Sequence, residues 1–554
     1  MGRNLTINAG LRYEKEQALR ERQDKSVSGF DFGFVQPAQA AVRTNIAANQ
    51  ATFTDLTGTP IPASSFNVTG GLTFADENSG KLYNTPNNTF LPRFGAAYRF
   101  DDHTVIRGGV GLFAGFLGQR RSDVLQAGYT RTTTLGTTTN ANGASIPRLW
   151  DAFPTNITVL EPVGDAAGKQ TGFGQGNIFF FNQNPKAPKQ LRWQIGIQRE
   201  LPWGVLFEAV YVGDYGYDLE LIKDLNALPS KYLVDDAVIL NGALDPNSDL
   251  AKRNAALSAS VPNPFKGVDG FQGTTLYTSN TVQRNVILRA FPQYCSSTSS
   301  CGAGVITSNN DGKSWYHGGQ FGLQRRFKNG NQIQLNYTWS KWLQATEYLS
   351  PGDDQPTKMI SDQDVPHRLA VNGIYKLPFG RGQAWDIKNA WVNGFLGGWQ
   401  LQGVYQFQVG VPVAFGSYSG LRFGQDAGTT SGDVIYLGGD PSLPSSEQTT
   451  DLWFNTAAFS TVNPTSAHHR TLPFRFTSVR RDNINNIDMS LMKYVNITES
   501  MRLQFRIDAL NIANHAYFQA PSVALNNTMG TISQTTTNQA NYPRRIQLGV
   551  KFIF

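Results

Sequence analysis

Four acidic side chains gather in one stretch of the sequence, close to a histidine. They are Asp353, Asp354, Asp362 and Asp364, and His367 follows them. Carboxylate oxygens in a flexible loop are ligands that suit Ca²⁺. Their spacing lacks the EF-hand pattern, however, so a solvated acidic loop is the favoured interpretation and a calcium site is the alternative.

Two other short motifs have residue types that bind ligands. Gly312–Ser314 resembles the end of a phosphate-binding loop, but Thr307 stands where that loop requires its first glycine, and a strand pattern follows where a helix is required. His468 and His469 are of a type that binds transition metals. A histidine pair in a Thr/Ser-rich loop more often has no such role, so we predict no metal site.

The sequence also lacks the motifs of common enzyme classes. It contains no dinucleotide-binding glycine pattern, no nucleophile elbow and no zinc-protease histidine pair. We therefore expect no enzymatic activity, no catalytic residues and no cofactor. The net charge of +7, from 48 Lys and Arg against 41 Asp and Glu, is mild for 554 residues and forms no basic tract, so nucleic acid is not an expected partner.

The two cysteines of the chain, Cys295 and Cys301, lie close together in a Ser/Gly-rich stretch. Their spacing predicts a small loop-closing disulfide formed in an oxidising compartment. A metal or redox pair is the weaker alternative, because no histidine or third cysteine lies nearby in the sequence.

The last stretch of the sequence, Pro543–Phe554, alternates between apolar and polar side chains. The apolar set is Ile546, Leu548, Val550, Phe552 and Phe554. A period of two is typical of a half-buried strand. This ending resembles the terminal strand of bacterial outer-membrane barrels, whose last aromatic residue helps the assembly machinery recognise them. The resemblance implies that Phe552 and Phe554 form a membrane-assembly signal.

The same alternation recurs along the whole chain and predicts about twelve strands of roughly ten residues, the length that a tilted strand needs to cross a bilayer. The centres of the predicted strands are Asn4–Glu14, Phe94–Phe100, Ile106–Leu112, Trp193–Gln198, Phe207–Tyr211, Phe321–Phe327, Ile333–Trp339, Leu369–Leu377, Trp399–Gln408, Ile487–Leu491, Leu503–Ala509 and the terminal strand. Only 16% of the residues are charged, and 35 are Phe and 20 are Tyr. We therefore predict an all-β fold, an antiparallel transmembrane β-barrel.

The lengths of the connections alternate between short turns and long loops. Outer-membrane barrels have short periplasmic turns and long extracellular loops, so both ends of the sheet are expected on the periplasmic side. A soluble β-sandwich is disfavoured, because loops this long are uncommon in compact soluble domains. Residues 1–554 are thus predicted to form one outer-membrane barrel domain in contact with lipid, in the outer membrane of a Gram-negative bacterium.

Aromatic and basic side chains add expectations about the wall. Six aromatic residues lie near strand ends, where an aromatic girdle at the membrane interface is the favoured interpretation and ligand stacking is the alternative. They are Trp315, Tyr316, Trp339, Trp342, Trp391 and Trp399. Phe179–Phe181 has two equal interpretations, a plug or ligand contact and strand or girdle packing. Five arginines are expected on the lumen side, where they meet a plug or pair with Glu208 and Asp508. These arginines are Arg12, Arg107, Arg192, Arg502 and Arg506.

Several blocks of the sequence resemble the C-terminal barrel of TonB-dependent outer-membrane receptors, and in particular the Oar-like subfamily, which carries an N-terminal carboxypeptidase-regulatory-like domain. The matching blocks are Arg3–Glu14, Pro92–Gly95, Gln194–Pro202, Tyr337–Lys341, Pro366–Arg368, Trp453–Asn455, Ala458–Phe459, Leu503–Arg506, Asn511 and Asn514–His515. Each block alone is weak, but they follow in order along nearly the whole chain.

The resemblance implies a barrel of about 22 strands with a plug in its lumen, which takes up a large or scarce solute with energy from an inner-membrane complex. Met1–Leu5 lacks the apolar segment of a signal peptide, and no plug, no energy-coupling segment and only about twelve of the strands are recognised. We therefore expect the C-terminal part of such a receptor, with an unknown ligand. The alternatives are a self-contained porin or adhesin of about twelve strands and, ranked last, an outer-membrane enzyme.

Overall fold

The structure is a computed structural model. It describes residues 4–117, 128–129, 162, 164–176, 178–299, 301, 305–327, 330–416, 434–462, 467–498, 501–532 and 541–554.

Twelve strands form one antiparallel meander in which each strand pairs with the next along the chain. They are β1 (Leu5–Glu14), β2 (Thr89–Arg99), β3 (Thr104–Ala114), β4 (Lys189–Leu201), β5 (Val205–Asp224), β6 (Val305–Arg326), β7 (Gln332–Ala345), β8 (His367–Lys376), β9 (Trp399–Gln408), β10 (Ile484–Asn496), β11 (Arg502–Leu510) and β12 (Arg545–Ile553). The predicted all-β sheet of twelve strands is confirmed.

The register of the sheet places apolar side chains in continuous rows on one face. Tyr375, Leu401, Leu491, Ile507 and Leu548 are successive partners across β8 to β12. Side chains alternate between the two faces of a strand, so these apolar side chains all lie on the same side of the sheet. We call this side the lipid face.

The opposite side of the same strands is polar. Gln402, Ser490, Asp508 and Gln547 are successive partners across β9 to β12, one residue away from the apolar row. We call this side the inner wall. An apolar and a polar face of one sheet are the arrangement of a transmembrane barrel wall with lipid outside and a polar lumen inside.

The connections alternate in length as the sequence predicts. Short turns at residues 100–103, 202–204, 327–331 and 497–501 join strand pairs at one end of the sheet. Long connections join strands at the other end, for example at residues 15–88 and 225–304. The exception is the 377–398 connection, which lies at the short-turn end but contains a helix.

The long connections are folded, which the sequence does not predict. Their α-helices are α1 (Gln39–Ala48), α2 (Asp249–Ser258), α3 (Thr275–Thr278) and α4 (Arg284–Ile287), and α5 (Ala390–Leu396) lies at the short-turn end. Their short strands are Val27–Val35, Thr69–Phe74, Ile178–Phe180, Ile239–Leu240, Ala243–Leu244, Ser260–Pro262, Thr281–Gln283, Met359–Ile360, Pro412–Ala414 and Arg475–Arg480. Their 3₁₀ turns are Ala63–Ser65, Ala75–Asn78, Gly168–Gln170, Ser230–Tyr232, Pro292–Tyr294 and Thr456–Ala458, and a further 3₁₀ turn, Pro202–Gly204, forms the short turn between β4 and β5.

Both ends of the meander are open edges. Within the part of the chain that the structure describes, β1 pairs with β2 alone and β12 pairs with β11 alone. Leu11 of β1 is 70% exposed, and Leu548 of β12 is 74% exposed. One backbone edge of each of these strands therefore has no strand partner in the described structure.

None of the helices in the described ranges is both long enough and apolar enough to cross a membrane.

Candidate functional site: a loop cap and a polar inner wall

Three long connections pack against one another at the long-loop end of the sheet. The β1–β2, β3–β4 and β5–β6 connections share one cluster of buried apolar side chains, which we call the cap core. Phe271 is fully buried in it, with its ring stacked on that of Phe173 at 4.9 Å and tilted against that of Phe265 at 5.0 Å. Aromatic side chains bury large apolar areas and prefer such offset contacts, so the cap core holds the three connections together.

The disulfide belongs to this core. Cys295 and Cys301 are bonded to each other, and both are fully buried. The side chain of the buried Asn226 sits beside them, where its Nδ2 donates to the Phe291 carbonyl at 2.9 Å and its Oδ1 accepts from the Phe291 N–H at 2.7 Å. These two hydrogen bonds connect the segment that leads into the disulfide loop with the segment that directly follows β5.

Phe179–Phe181 also lies in the cap rather than in the lumen. Ile178–Phe180 pairs in parallel with the start of β6. Phe180 stacks on Phe30 with ring centroids 5.2 Å apart, and Phe181 meets Tyr83 edge-on at 6.3 Å. Of the two interpretations of this apolar run, the structure supports strand packing.

A second buried cluster forms where the β9–β10 connection meets the β11–β12 connection. Phe415 stacks on Phe459 at 4.7 Å and meets Phe454 edge-on at 5.2 Å. Met529 and Ile532, from the connection before β12, complete the cluster. Like the cap core, this cluster joins loops that are distant in the sequence, and smaller apolar clusters lie beside the two among the described residues.

His469 joins three connections at one point, which we call the histidine junction. Its Nδ1 lies 2.6 Å from the Asp235 carboxylate, and its Nε2 lies 2.9 Å from the Asp353 carboxylate. Asp353 also accepts hydrogen bonds from the Ser230 hydroxyl at 3.0 Å and the Ser350 N–H at 2.9 Å. The junction therefore fastens the β9–β10 connection to the β5–β6 and β7–β8 connections.

The charges of the junction stabilise one another. The hydrogen bond to Asp353, and after it the hydrogen bond to Asp235, raise the pKa of His469 to about 9, although partial burial of the ring opposes this. Burial disfavours the ionised form of Asp353, but the hydrogen bonds from His469 and Ser350 hold its pKa below the usual value. At neutral pH the junction is thus an imidazolium held between two carboxylates.

The junction is expected to weaken in alkali. The raised pKa of His469 contributes stability that is complete below its unfolded value near 6.5 and is lost as the pH rises through about 9. Because the ring is partly open to solvent, we expect a loss of about 1 to 2 kcal/mol, which is about tenfold faster proteolysis of these loops at pH 10 than at pH 7.

The measurement is limited proteolysis of the native chain and of His469→Gln at both pH values. His469→Gln should be cleaved faster than the native chain at pH 7, and its cleavage rate should increase less between pH 7 and pH 10. Asp236→Asn, beside Asp235 and exposed, is the matched control and should behave as the native chain does. An equal pH dependence in His469→Gln would contradict the assignment.

A cleft of about 860 Å³ opens beside the histidine junction. It is lined by acidic and basic side chains, among them Asp235, Asp249, Lys252, Arg253 and His469. Charges of both signs around one cleft suit a polar solute that carries hydrogen-bond donors and acceptors. This cleft is the candidate binding surface of the long-loop end.

Two buried ion pairs connect the β7–β8 and β9–β10 connections. The Arg480 guanidinium donates to the Asp364 carboxylate at 2.7 Å, and the Arg475 guanidinium donates to the Glu347 carboxylate at 2.8 Å. Asp364 is fully buried and also accepts the Trp342 N–H at 2.6 Å. Charge-assisted hydrogen bonds of this length are among the strong ones in proteins.

The acidic cluster of the sequence therefore does not converge on a cation. Asp353 and Asp364 are engaged by His469 and Arg480, whereas Asp354 and Asp362 are exposed. The interpretation as a solvated loop is wrong for Asp364, because this carboxylate is buried against an arginine. No group of three or more His, Cys, Asp or Glu that could hold a metal is found among the described residues.

Gly312–Ser314 lies inside β6 and continues as a strand, so the phosphate-loop geometry is not formed. Here β6 pairs with β5 through an irregular register between Asn309 and Ser314. A phosphate-binding loop would need a helix N-terminus after the lysine. The weak motif match is thus a feature of strand sequence.

The inner wall carries two clefts. One of about 650 Å³ is lined by residues that include Gln402, Ser490, Arg506 and Asp508, and the Arg506 guanidinium contacts Asp508 at 2.7 Å, which is one of the two alternatives that the sequence leaves open. The other, of about 450 Å³, is lined by residues that include Arg107, Glu208, Gln194, Gln320 and Thr338. Both clefts thus expose side-chain amides and charges of both signs on the inner wall.

The other arginines predicted on the inner wall include three that contact carboxylates or an aromatic ring on the same or a neighbouring strand. Arg12 contacts Glu14 at 2.6 Å, and Arg192 contacts Asp214 at 2.6 Å. Arg502 lies over the Tyr494 ring at 5.8 Å from its centroid.

The aromatic residues near strand ends divide between the two faces. Trp315, Trp339 and Trp399 share the alternation of the lipid face. Tyr316 and Trp342 are partners on the inner side, and the Trp342 indole donates to the Ser314 hydroxyl at 2.8 Å. The girdle interpretation is therefore wrong for Tyr316 and Trp342, because their strand parity turns them away from lipid.

The aromatic residues at the end of β12 are accessible. Phe554 is 91% exposed, and its ring lies 5.9 Å from that of Phe552.

The sequence did not predict the residues that join the loops. His469 is 116 positions from Asp353 and 234 positions from Asp235. Such partners leave no local pattern, and a histidine pair in a polar loop has no periodicity that would mark it. The sequence singles out His469 and Asp353 by residue type, but it does not indicate that they meet.

The fold is similar to those of solved outer-membrane proteins. These include the outer membrane transporter YddB from Escherichia coli (12% identity, TM-score 0.35, 87% of this chain and 42% of that chain) and the ferric-catecholate import receptor Fiu from K12 E. coli (9%, 0.36, 100% and 42%). A third is the FrpB iron transporter from Neisseria meningitidis (10%, 0.36, 100% and 53%). The chain thus spans about half or less of the length of these proteins.

No curated protein matches the sequence. The sequence does match the family described as "Outer membrane beta barrel domain", over residues 1–547. This match covers the whole meander from β1 into β12, and it agrees with a sheet that is apolar on one face and polar on the other. The protein is therefore located in the outer membrane of a Gram-negative cell, and the chain belongs to the outer-membrane β-barrel domain family.

Proposed function

We propose that this chain is the C-terminal barrel part of a TonB-dependent outer-membrane receptor of the Oar-like type. Such a receptor binds a large or scarce solute and imports it with energy from an inner-membrane complex. The single observation that carries the proposal is the pair of open sheet edges, on β1 and β12.

In lipid the backbone groups along a free strand edge have no water to bond, and each unsatisfied group costs several kcal/mol. A membrane sheet therefore closes. In a receptor barrel, further strands lie between β1 and β12. In the alternative, a self-contained porin or adhesin of twelve strands, β1 and β12 pair with each other.

Two features favour a receptor over an open porin. The long connections do not lie separately but fold into a cap that is held together by buried apolar clusters. The cap also carries a cleft lined by charges of both signs. A folded cap with a cleft serves to recognise a solute, whereas a porin needs an unobstructed mouth. The cap side would then be extracellular and the short-turn side periplasmic.

The proposed partners follow from the surfaces. Lipid covers the apolar face, and the exposed Phe554 with Phe552 would be read by the barrel-assembly machinery. The inner-membrane energy-transducing complex would act through a segment N-terminal to this barrel part, and the solute would bind in the cap. The role is one of binding and transport, not catalysis.

Cross-linking tests the closure of the sheet. In the native gene, cysteine pairs are placed on the polar side of β1 (Asn8, Gly10 or Arg12) and of β12 (Gln547, Gly549 or Lys551), and outer membranes are oxidised. If further strands separate the two edges, we expect no pair to form an intramolecular disulfide. A side chain at Gly10 meets no atom within 4 Å, so the substitution itself is tolerated.

The positive control is the pair Gln504→Cys and Lys551→Cys, which are cross-strand partners in β11 and β12 and should cross-link. Efficient cross-linking of any β1–β12 pair would overturn the receptor proposal and establish the twelve-stranded barrel. The grid of positions covers several registers, because the register of a β1–β12 contact is not known in advance.

A further inference from the structure

Helix α5 is unusual because it is an α-helix at the short-turn end of the sheet. It occupies part of the 377–398 connection between β8 and β9. The Asn389 side chain caps it by accepting from the N–H groups of Trp391 and Val392, at 3.0 and 3.1 Å. The Asn393 Oδ1 accepts from the Arg381 N–H at 2.8 Å, which fixes the helix to its own loop. The helix is thus held in place despite its short length.

The exposed face of α5 is apolar. Trp391 is 90% exposed and Phe395 is 75% exposed, and Val392 and Leu396 are exposed beside them. With 3.6 residues per turn these four side chains form one stripe, while Asn393 and Gly394 lie on the other side. A contiguous apolar patch of large side chains on a protein surface marks an interaction site.

The position of α5 identifies what covers this stripe. The Trp399 indole donates to the Phe395 carbonyl at 3.0 Å, and Trp399 has the strand parity of Leu401 on the lipid face. The helix is therefore attached to the lipid-facing side of the sheet, at its short-turn edge. The apolar stripe continues the surface that already contacts lipid.

The flanking charges and aromatic residues fit the same surface. Arg381 and Lys388 are exposed next to α5, and the Arg381 guanidinium donates to the Lys388 carbonyl at 3.4 Å. Cations beside an apolar helix face suit phosphate headgroups, because long basic side chains extend toward the interface while their stems stay in apolar surroundings. Trp385 and Trp203, 63% and 82% exposed, lie in turns at the same end.

We propose that α5 is an interfacial helix that lies in the plane of the membrane surface, with its apolar stripe at the boundary between phospholipid headgroups and acyl chains. The helix therefore extends the contact between protein and lipid beyond the strands, and the 377–398 connection does not project freely into the aqueous space. The partner of this surface is the phospholipid leaflet at the short-turn end.

The depth of nitroxide labels tests the proposal. The protein expressed from the native gene is reconstituted into vesicles of phosphatidylcholine and phosphatidylglycerol, and a label is attached at Val392→Cys on the apolar stripe. Since Cys295 and Cys301 are disulfide-bonded to each other, the new thiol is the one that reacts within this chain. The measured quantity is the accessibility of the label to oxygen divided by its accessibility to a water-soluble nickel complex. We expect this ratio to be several-fold higher for the label on the stripe than for a label at the control position.

The control is Gly394→Cys, on the other side of the helix, where an added side chain meets no atom within 4 Å. Leu396→Cys is a second probe of the stripe if Val392→Cys does not fold, and heat-modifiable gel mobility reports folding for every variant. Equal exposure of the stripe and the control to the nickel complex would overturn the proposal. So would a stripe label that is shielded from both reagents, because that result indicates a protein partner.

Discussion

Replacement of Asp364 by alanine is expected to release the β7–β8 connection from the β9–β10 connection. The change leaves the Arg480 guanidinium largely buried without its carboxylate and removes the acceptor of the Trp342 N–H. Breaking one partner of a buried pair costs about 3 to 5 kcal/mol, because the remaining charge stays desolvated.

Hydrogen exchange of the segment around Trp342 measures this effect. At the lower limit of the expected cost, about 3 kcal/mol, exchange should be accelerated by about a hundredfold. Asp362→Ala is the matched control: it lies in the same loop but is exposed, and it should change exchange little. The double variant Asp364→Ala and Arg480→Leu should recover part of the protection, since no buried charge remains. Unchanged exchange in Asp364→Ala would show that the pair does not hold the loops.

Replacement of Phe271 by alanine is expected to loosen the cap while the barrel wall stays intact. The ring is fully buried between Phe173 and Phe265, which come from different parts of the cap core. A buried Phe→Ala change costs about 3 to 5 kcal/mol through lost transfer energy and the cavity that remains. The β3–β4 and β5–β6 connections should therefore separate more readily.

Protease sensitivity of the cap, compared with heat-modifiable gel mobility of the wall, separates the two effects. Phe271→Ala should be cleaved much faster in the β5–β6 connection and should keep native mobility. Phe116→Ala, a change of the same type at a side chain that is 60% exposed, should leave the cleavage rate unchanged. If Phe271→Ala resists protease as the native chain does, the cap core does not stabilise the loops.

The strands that cross the membrane could be predicted from local alternation. The predicted bounds of β9, Trp399–Gln408, agree with the structure. By contrast, β6 begins at Val305, well before its predicted core at Phe321. An irregular register between Asn309 and Ser314 interrupts the period of two there. The alternation in the sequence therefore indicates only the later part of the strand.

The loops could not be predicted in the same way. Phe30 and Phe180 stack although they lie in different connections, and nothing in the sequence near either residue indicates the other. The same holds for Arg480, which donates a hydrogen bond to Asp364 although the two residues are 116 positions apart in the sequence. Local sequence therefore favours a solvated acidic cluster, because burial of a carboxylate depends on a partner that local sequence does not reveal.

The sequence by itself determined that the chain is a membrane wall. A strand with one face in lipid and one face toward a polar lumen must alternate, and that requirement acts on each residue separately, as in Ile546 to Phe554. Only the tertiary structure decided how the long connections fold. Contacts such as those of Phe271 and His469 depend on which distant segments meet, and packing of this kind leaves no period in the sequence.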